Sequence, residues 1–273
     1  MPAVQLANLN QQIDALTQRF LDPIDFQNGL ETLLIRYADL TYKPGQTVRQ
    51  TGLPYSSYRT APIVMRALED RLAFLAPRYP EPALTVSEGL WKTDKTESRR
   101  LAAVLLGNLP VEYVDAVLSH LKAWSIPGVE YSHLETLFTL GSARLRKEDS
   151  QKWLDMIRTW LSSADQGMVR LGVLAITSLA SDRNFENLPA VYNLAGPLLT
   201  LSPGELQNEL RTLLIQLARR SPTETAYFLR QVIGLQPPPM LLRIIRRCLP
   251  EFPMETQARL RGVLQALPRE DKG

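Results

Sequence analysis

Arginine is the residue type in this chain whose spacing is best suited to chemistry. Arg99 and Arg100, Arg144 and Arg146, Arg170, Arg211, Arg219 and Arg220, and Arg243, Arg246 and Arg247 recur along the sequence. A guanidinium is a planar fork of N–H donors that fits phosphate oxygens, so arginines repeated on one surface can follow a nucleic-acid backbone. The alternative for each is a solvated helix face covered by its aliphatic stem. Arg100, Arg170, Arg211, Arg246 and Arg247 are the expected phosphate contacts. Two carboxylates, Glu130 and Glu135, lie in PGVEYSHLETLFTLG. A carboxylate facing a groove, Glu135 first, could stabilise positive charge developing on a sugar. Its simpler role is to sit near a helix N-terminus, where the dipole favours it. Trp91, Trp124, Trp153 and Trp160 fall near helix ends. Each can pack between helices, or, as Trp91, Trp124 and Trp160 could, line an aromatic cleft that stacks on a base or a cationic alkylated base. His120 and His133 lack partners at metal-ligand spacing, and neither a glycine-rich phosphate loop nor HExxH is present. His120 in LSHLKAW reads as a packed or half-exposed helical residue. No metal or organic cofactor is expected.

These residues need elements to position them, and helical periodicity runs almost throughout. Leu101, Val104, Leu105 and Leu109 share one stripe, and Leu213, Leu214, Leu217 and Ala218 another. Pro110, Pro127–Gly128, Pro189, Pro197, Pro203–Gly204, Pro222 and Pro237 to Pro239 punctuate the helices. Inner segments near 100–109, 135–145, 170–179, 208–218 and 240–249 recur at a step of roughly 32 to 40 residues, the length of one helical hairpin repeat. Second helices lie between them: Val111 to Ala123, Gln151 to Leu161, Phe185 to Leu199, Pro222 to Ile233 and Met254 to Leu267. LWKTDKTESRRLAAVLLGNL (90–109) and WLSSADQGMVRLGVLAITSL (160–179) share one design, with Arg100 matching Arg170, Leu101 matching Leu171 and Leu109 matching Leu179. One hairpin cannot bury its apolar face alone, so neighbours must stack. The expected fold is all-α, a right-handed α-solenoid of antiparallel helix pairs with its ligand along the concave side.

The expected organisation is a single repeat domain over 1–273: capping helices and a loop in 1–80, helix pairs in 81–268, and a short polar tail in 269–273. Within the cap, helices are expected near 5–20, 26–40 and 61–77, with Asp25 of DPIDF as an N-cap. TYKPGQTVRQTGLPYSSYRTAP reads as an ordered loop between the last two.

At 273 residues, 45% hydrophobic and 22% charged, the chain has the means to bury a large core. Its net charge of +3 permits a phosphate-rich partner without indicating one. Cys248 is the only cysteine, so neither an internal disulfide nor a cysteine-based zinc site can form. A reducing cytoplasm is the expected compartment, since the polar N-terminus lacks a signal-peptide pattern. No run approaches the ~18 apolar residues of a membrane span. A capped solenoid is expected to be a monomer.

The chain resembles the DNA alkylation repair enzymes, bacterial glycosylases built from HEAT-like helical repeats. LWKTDKTESRRLAAVLLGNLP, WLSSADQGMVRLGVLAITSLASDRNFENLP and LLIQLARRSPTETAYFLRQ carry the likeness over roughly residues 80 to 235. It implies HEAT-like pairs forming a C-shaped solenoid whose basic concave face holds duplex DNA, with excision of cationic alkylpurines and no cofactor. The family's central paired tryptophans and two aspartates correspond here to SHLETLFTLG: His133 and Leu134 stand at the tryptophan positions, Glu135 at the first aspartate and Phe138 at the second. Arg170 is retained, while Met168 and Leu171 depart. Glu135 alone could deputise for the lost carboxylate. The chain is therefore expected to be a divergent, DNA-binding member with a role in base-excision repair. The alternative is a non-catalytic scaffold holding a protein partner, and an enzyme acting on a small metabolite ranks last.

Overall fold

A computed structural model describes residues 5–38, 57–200, 204–235 and 237–266. Among these residues all regular structure is helical and no strand occurs. The tail at 269–273 and most of the loop expected at 41–62 lie outside the described residues. The chain divides into two compact units, one of Met1–Ser125 with Val129–Ser150, the other of Ile126–Gly128 with Gln151–Gly273.

In the first unit, α1 (Leu6–Thr17), α2 (Pro23–Arg36), α3 (Pro62–Leu75) and α4 (Pro80–Lys92) precede α5 (Thr96–Gly107) and α6 (Val114–Trp124). The unit closes with α7 (Tyr131–Thr136), a π turn at Leu137–Gly141 and α8 (Ala143–Glu148). Proline opens α2, α3 and α4, where its missing N–H costs nothing and its fixed φ suits the first turn. The cap of α2 is Asp22 rather than Asp25: its carboxylate accepts from the N–H groups of Ile24 and Asp25, both at 3.1 Å. Because Pro23 starts the helix, Asp25 falls inside its first turn. Helix α4, opened by Pro80, is not among the helices expected from the sequence.

The second unit holds α9 (Ser150–Leu161), α10 (Gln166–Ser181), α11 (Leu188–Thr200), α12 (Gln207–Arg220), α13 (Pro222–Gly234), α14 (Pro239–Cys248) and α15 (Met254–Gln265). Asp165 caps α10 by accepting from Gly167 N–H at 2.8 Å. Pro197 departs from its expected place between helices and lies inside α11. Lacking an N–H, it releases the carbonyl of Asn193 one turn earlier.

Helices pack on neighbours two places along: α1 on α3, α2 on α4 and α3 on α5 in the first unit, and α10 on α12, α11 on α13, α12 on α14 and α13 on α15 in the second. Side-chain bonds repeat that spacing. Glu69 to Arg100, Glu88 to His120, Arg99 to His133, Asp182 to Arg220, Tyr192 to Thr225 and Arg219 to Glu251 each join residues 31 to 38 apart.

The two matching segments become α5 and α10. Residues 101–107 of α5 and 171–180 of α10 are buried on every side, the condition that a helix apolar all round requires. Small residues permit the enclosure. A Cβ on Gly107 would overlap the backbone carbonyl of Leu140, and one on Gly172 would overlap the side chain of Leu161.

Candidate nucleic-acid interface

The sequence of α14, PMLLRIIRRC, divides its residues sharply between two faces. Leu241, Ile244, Ile245 and Cys248 are buried, while Arg243, Arg246 and Arg247 are exposed. The three arginines stand at i, i+3 and i+4, so they share one face. Arg211 on the neighbouring α12 is also exposed, and its backbone carbonyl accepts from the Cys248 thiol of α14 at 3.8 Å. Burial pushes that thiol up to about 11, against the opposing pull of the Arg211 charge. Among the described residues, none of Arg211, Arg243, Arg246 and Arg247 has a carboxylate partner. Like charges at these spacings each destabilise a helix by about 0.2–0.5 kcal/mol. Placement of Arg246 and Arg247 in the last turn offsets part of that through the helix dipole.

Other candidate arginines are committed within the fold. Arg170 pairs with Glu209 at 2.8 Å and donates to the Glu205 carbonyl at 3.1 Å, tying α10 to α12. Arg219 meets Glu251 at 2.8 Å. Arg220 donates to the carbonyls of Asp182, Arg183 and Phe185 at 2.7, 2.9 and 3.0 Å, closing the end of α10. In the first unit Arg100 holds Glu69 with two nitrogens. Arg146 turns onto the π turn, donating to the Thr139 carbonyl at 2.9 Å and to Ser142 Oγ at 2.6 Å, with Phe138 O as a further acceptor. The π turn shifts the carbonyls of the helix out of α register, and this guanidinium satisfies them.

The tryptophans pack in two pairs. Trp91 and Trp124 stack face to face in the first unit, with centroids 4.7 Å apart and planes at 7°. His120 meets Trp124 edge-on at 5.2 Å and lies 2.8 Å from Glu88, consistent with the packed helical histidine expected. Trp160, in the second unit, is buried edge to face on Trp153 at 5.9 Å.

Glu135 is exposed on α7 and makes no side-chain hydrogen bond or ion pair among the described residues. The helix begins at Tyr131 with Glu130 as the capping position, so Glu135 stands beyond the first turn, where the dipole acts on it little. Beside it is buried a group of polar side chains that the sequence alone does not mark. His133 is 3% exposed, accepts from Arg99 at 2.9 Å, and lies 3.4 Å from both Glu130 and Thr96 Oγ1. Arg99 also donates to the Trp91 carbonyl at 3.3 Å and lies 5.5 Å over its ring. No local spacing announces this cluster, because its members come from α4, α5, α7 and their connections.

Among the described residues, no group of three or more His, Cys, Asp or Glu is placed to hold a metal ion, and no single helix is long and apolar enough to cross a membrane. Compared with protein-family models and with curated proteins, the chain matches none.

Proposed function

We propose that this chain is a helical-repeat protein that binds duplex DNA through the arginine face of α12 and α14. The helix pairs of each unit stack in the right-handed, HEAT-like manner, and the recurring 31 to 38 residue separation of bonded side chains supports that reading. The observation that carries the binding role is the group Arg211, Arg243, Arg246 and Arg247, exposed and without carboxylate partners among the described residues. A phosphate backbone supplies the missing counter-charge and fits the guanidinium fork. Arg170 and Arg100 act as structural ties, since each already holds a carboxylate. The likeness to DNA alkylation repair glycosylases supports a role on damaged DNA. Base excision by this chain would rest on Glu135, which stands exposed and makes no side-chain hydrogen bond or ion pair among the described residues.

The test is fluorescence anisotropy with a labelled DNA duplex across a salt series. Four phosphate contacts predict an affinity loss of about a hundredfold between ~50 and ~200 mM salt. Replacing both Arg246→Ala and Arg247→Ala lowers the salt slope by about two. Absence of binding at low salt, or an unchanged slope in the double variant, overturns the reading. Release of an alkylated base, compared between the unsubstituted chain and Glu135→Gln, separates an enzyme from a binding protein.

A further inference from the structure

Helices α11 and α13 lie side by side on the second unit and enclose a groove of about 900 Å³, lined from Pro189 to Thr200 on one side and from Thr223 to Leu235 on the other. The lining is mostly apolar. Tyr192 and Phe228 form its wall, centroids 5.0 Å apart and planes at 41°. A bond of 3.0 Å between the Tyr192 hydroxyl and Thr225 Oγ1 holds the first ring in place. Tyr227 stands beside them at 64% exposure. This exposed ring extends the apolar lining of the groove to the surface, so a partner seated in the groove would cover both.

Polar chemistry in the groove narrows what that cover is. Helix α11 carries no charged residue along its whole length. Glu224 is the one charged residue among those lining the groove, and it sits at the N-terminal end of α13. Its carboxylate accepts from Ser221 Oγ at 3.0 Å, leaving its other oxygen for a cation. The side-chain amides of Asn193 and Gln231 and the Tyr227 hydroxyl line the same groove and make no side-chain bond among the described residues.

An amphipathic helix laid here would present a backbone already hydrogen-bonded to itself, so these donors would gain nothing from it. A polyproline II segment has no internal hydrogen bonds, exposes every carbonyl, and stacks its pyrrolidine rings on aromatic side chains. The lined part of α11 is about 18 Å long at ~1.5 Å per residue, room for about six residues rising ~3.1 Å each. The geometry points to the α11–α13 groove as a docking site for a proline-rich segment of a partner protein, with rings on Tyr192, Tyr227 and Phe228 and a basic flanking residue on Glu224. The site is separate from the arginines of α14 and does not depend on DNA binding.

The experiment uses the full chain and an array of labelled peptides of about seven residues, with proline at the first and fourth positions, arginine at one end and the remaining positions randomised. Anisotropy is expected to show saturable binding, lost when the prolines become alanine. Tyr227→Ala, whose ring is exposed and outside the core, is expected to weaken binding about tenfold or more. Glu224→Gln is expected to abolish the preference for arginine over a neutral flanking residue. No binding anywhere in the array overturns the proposal, as does equal binding of the alanine peptides or of Tyr227→Ala. Tighter binding of an amphipathic helical peptide, or a dimer broken by Tyr227→Ala in sedimentation, overturns it in favour of those occupants. Duplex DNA affinity, measured in parallel, is expected to be the same in both variants.

Discussion

Arg99 donates a hydrogen bond to His133, its Nη1 lying 2.9 Å from the ring Nδ1. A guanidinium can only donate, so Nδ1 must accept and the ring proton must sit on Nε2, toward Thr96 Oγ1 at 3.4 Å. That bond favours the neutral imidazole, while the Glu130 carboxylate 3.4 Å from the same Nδ1 favours the charged one. Burial holds its pKa below the ordinary 6.5; Glu130 and Asp94 oppose that, and the Arg99 charge adds to it.

A pH dependence of stability follows. The unfolded chain takes up this proton near 6.5 and the folded chain only at lower pH, so between those values the unfolded state binds more protons and stability rises with pH. The contribution is complete above the unfolded value and is lost as pH falls from about 6.5 through the folded one. Thermal melts of the unsubstituted chain and His133→Gln across that range check this. The expected result is a flatter curve for the variant; parallel curves would refute the assignment.

Gly107→Ala is expected to destabilise the first unit by about 2–4 kcal/mol. The new methyl would overlap the Leu140 carbonyl, and backbone on both sides leaves no flexible side chain to give way. Urea denaturation measures the loss. A midpoint equal to that of the unsubstituted chain would mean the π turn moves freely.

Glu97 is buried at 6% exposure on the first turn of α5. It accepts from Ser57 Oγ at 2.7 Å and from the N–H groups of Tyr58 and Thr60 at 3.1 and 3.3 Å. Glu97→Ala strands those two amides and is expected to cost about 2–3 kcal/mol. Faster hydrogen exchange at Tyr58 and Thr60 should accompany it. Unchanged exchange there would show that other groups hold residues 57–60.

Arginines of two kinds should separate cleanly under substitution. Arg220→Ala removes the donor to three carbonyls at the end of α10, so it is expected to lower stability by about 1–3 kcal/mol while leaving the DNA salt slope alone. Arg246→Ala with Arg247→Ala is expected to change stability by less than about 0.5 kcal/mol and to lower the slope. The opposite pattern would reverse the roles given to the two groups.

Helices and their spacing were largely legible in the residues. Prolines Pro62, Pro222 and Pro239 open helices where a fixed φ and a missing N–H are tolerated, and apolar periodicity marks the buried stripes between them. Side-chain bonds join positions 31 to 38 apart, because helices pack on neighbours two places along the chain. No local pattern marks the π turn, whose Leu140 carbonyl lies close against Gly107, a residue 33 positions earlier.

Local sequence could name eleven candidate arginines but could not tell which are spoken for. Arg170 and Arg246 both sit at the exposed positions of amphipathic helices, and only the neighbouring helix decides that one meets Glu209 and the other no carboxylate among the described residues. Trp91 and Trp124 likewise needed the packing of α4 and α6 to become a stacked pair. Helix formation depends on φ, ψ and capping within a few residues, which the chain states directly. Pairing of charges and rings depends on partners more than 30 residues away, and only the folded packing brings them within a few ångströms.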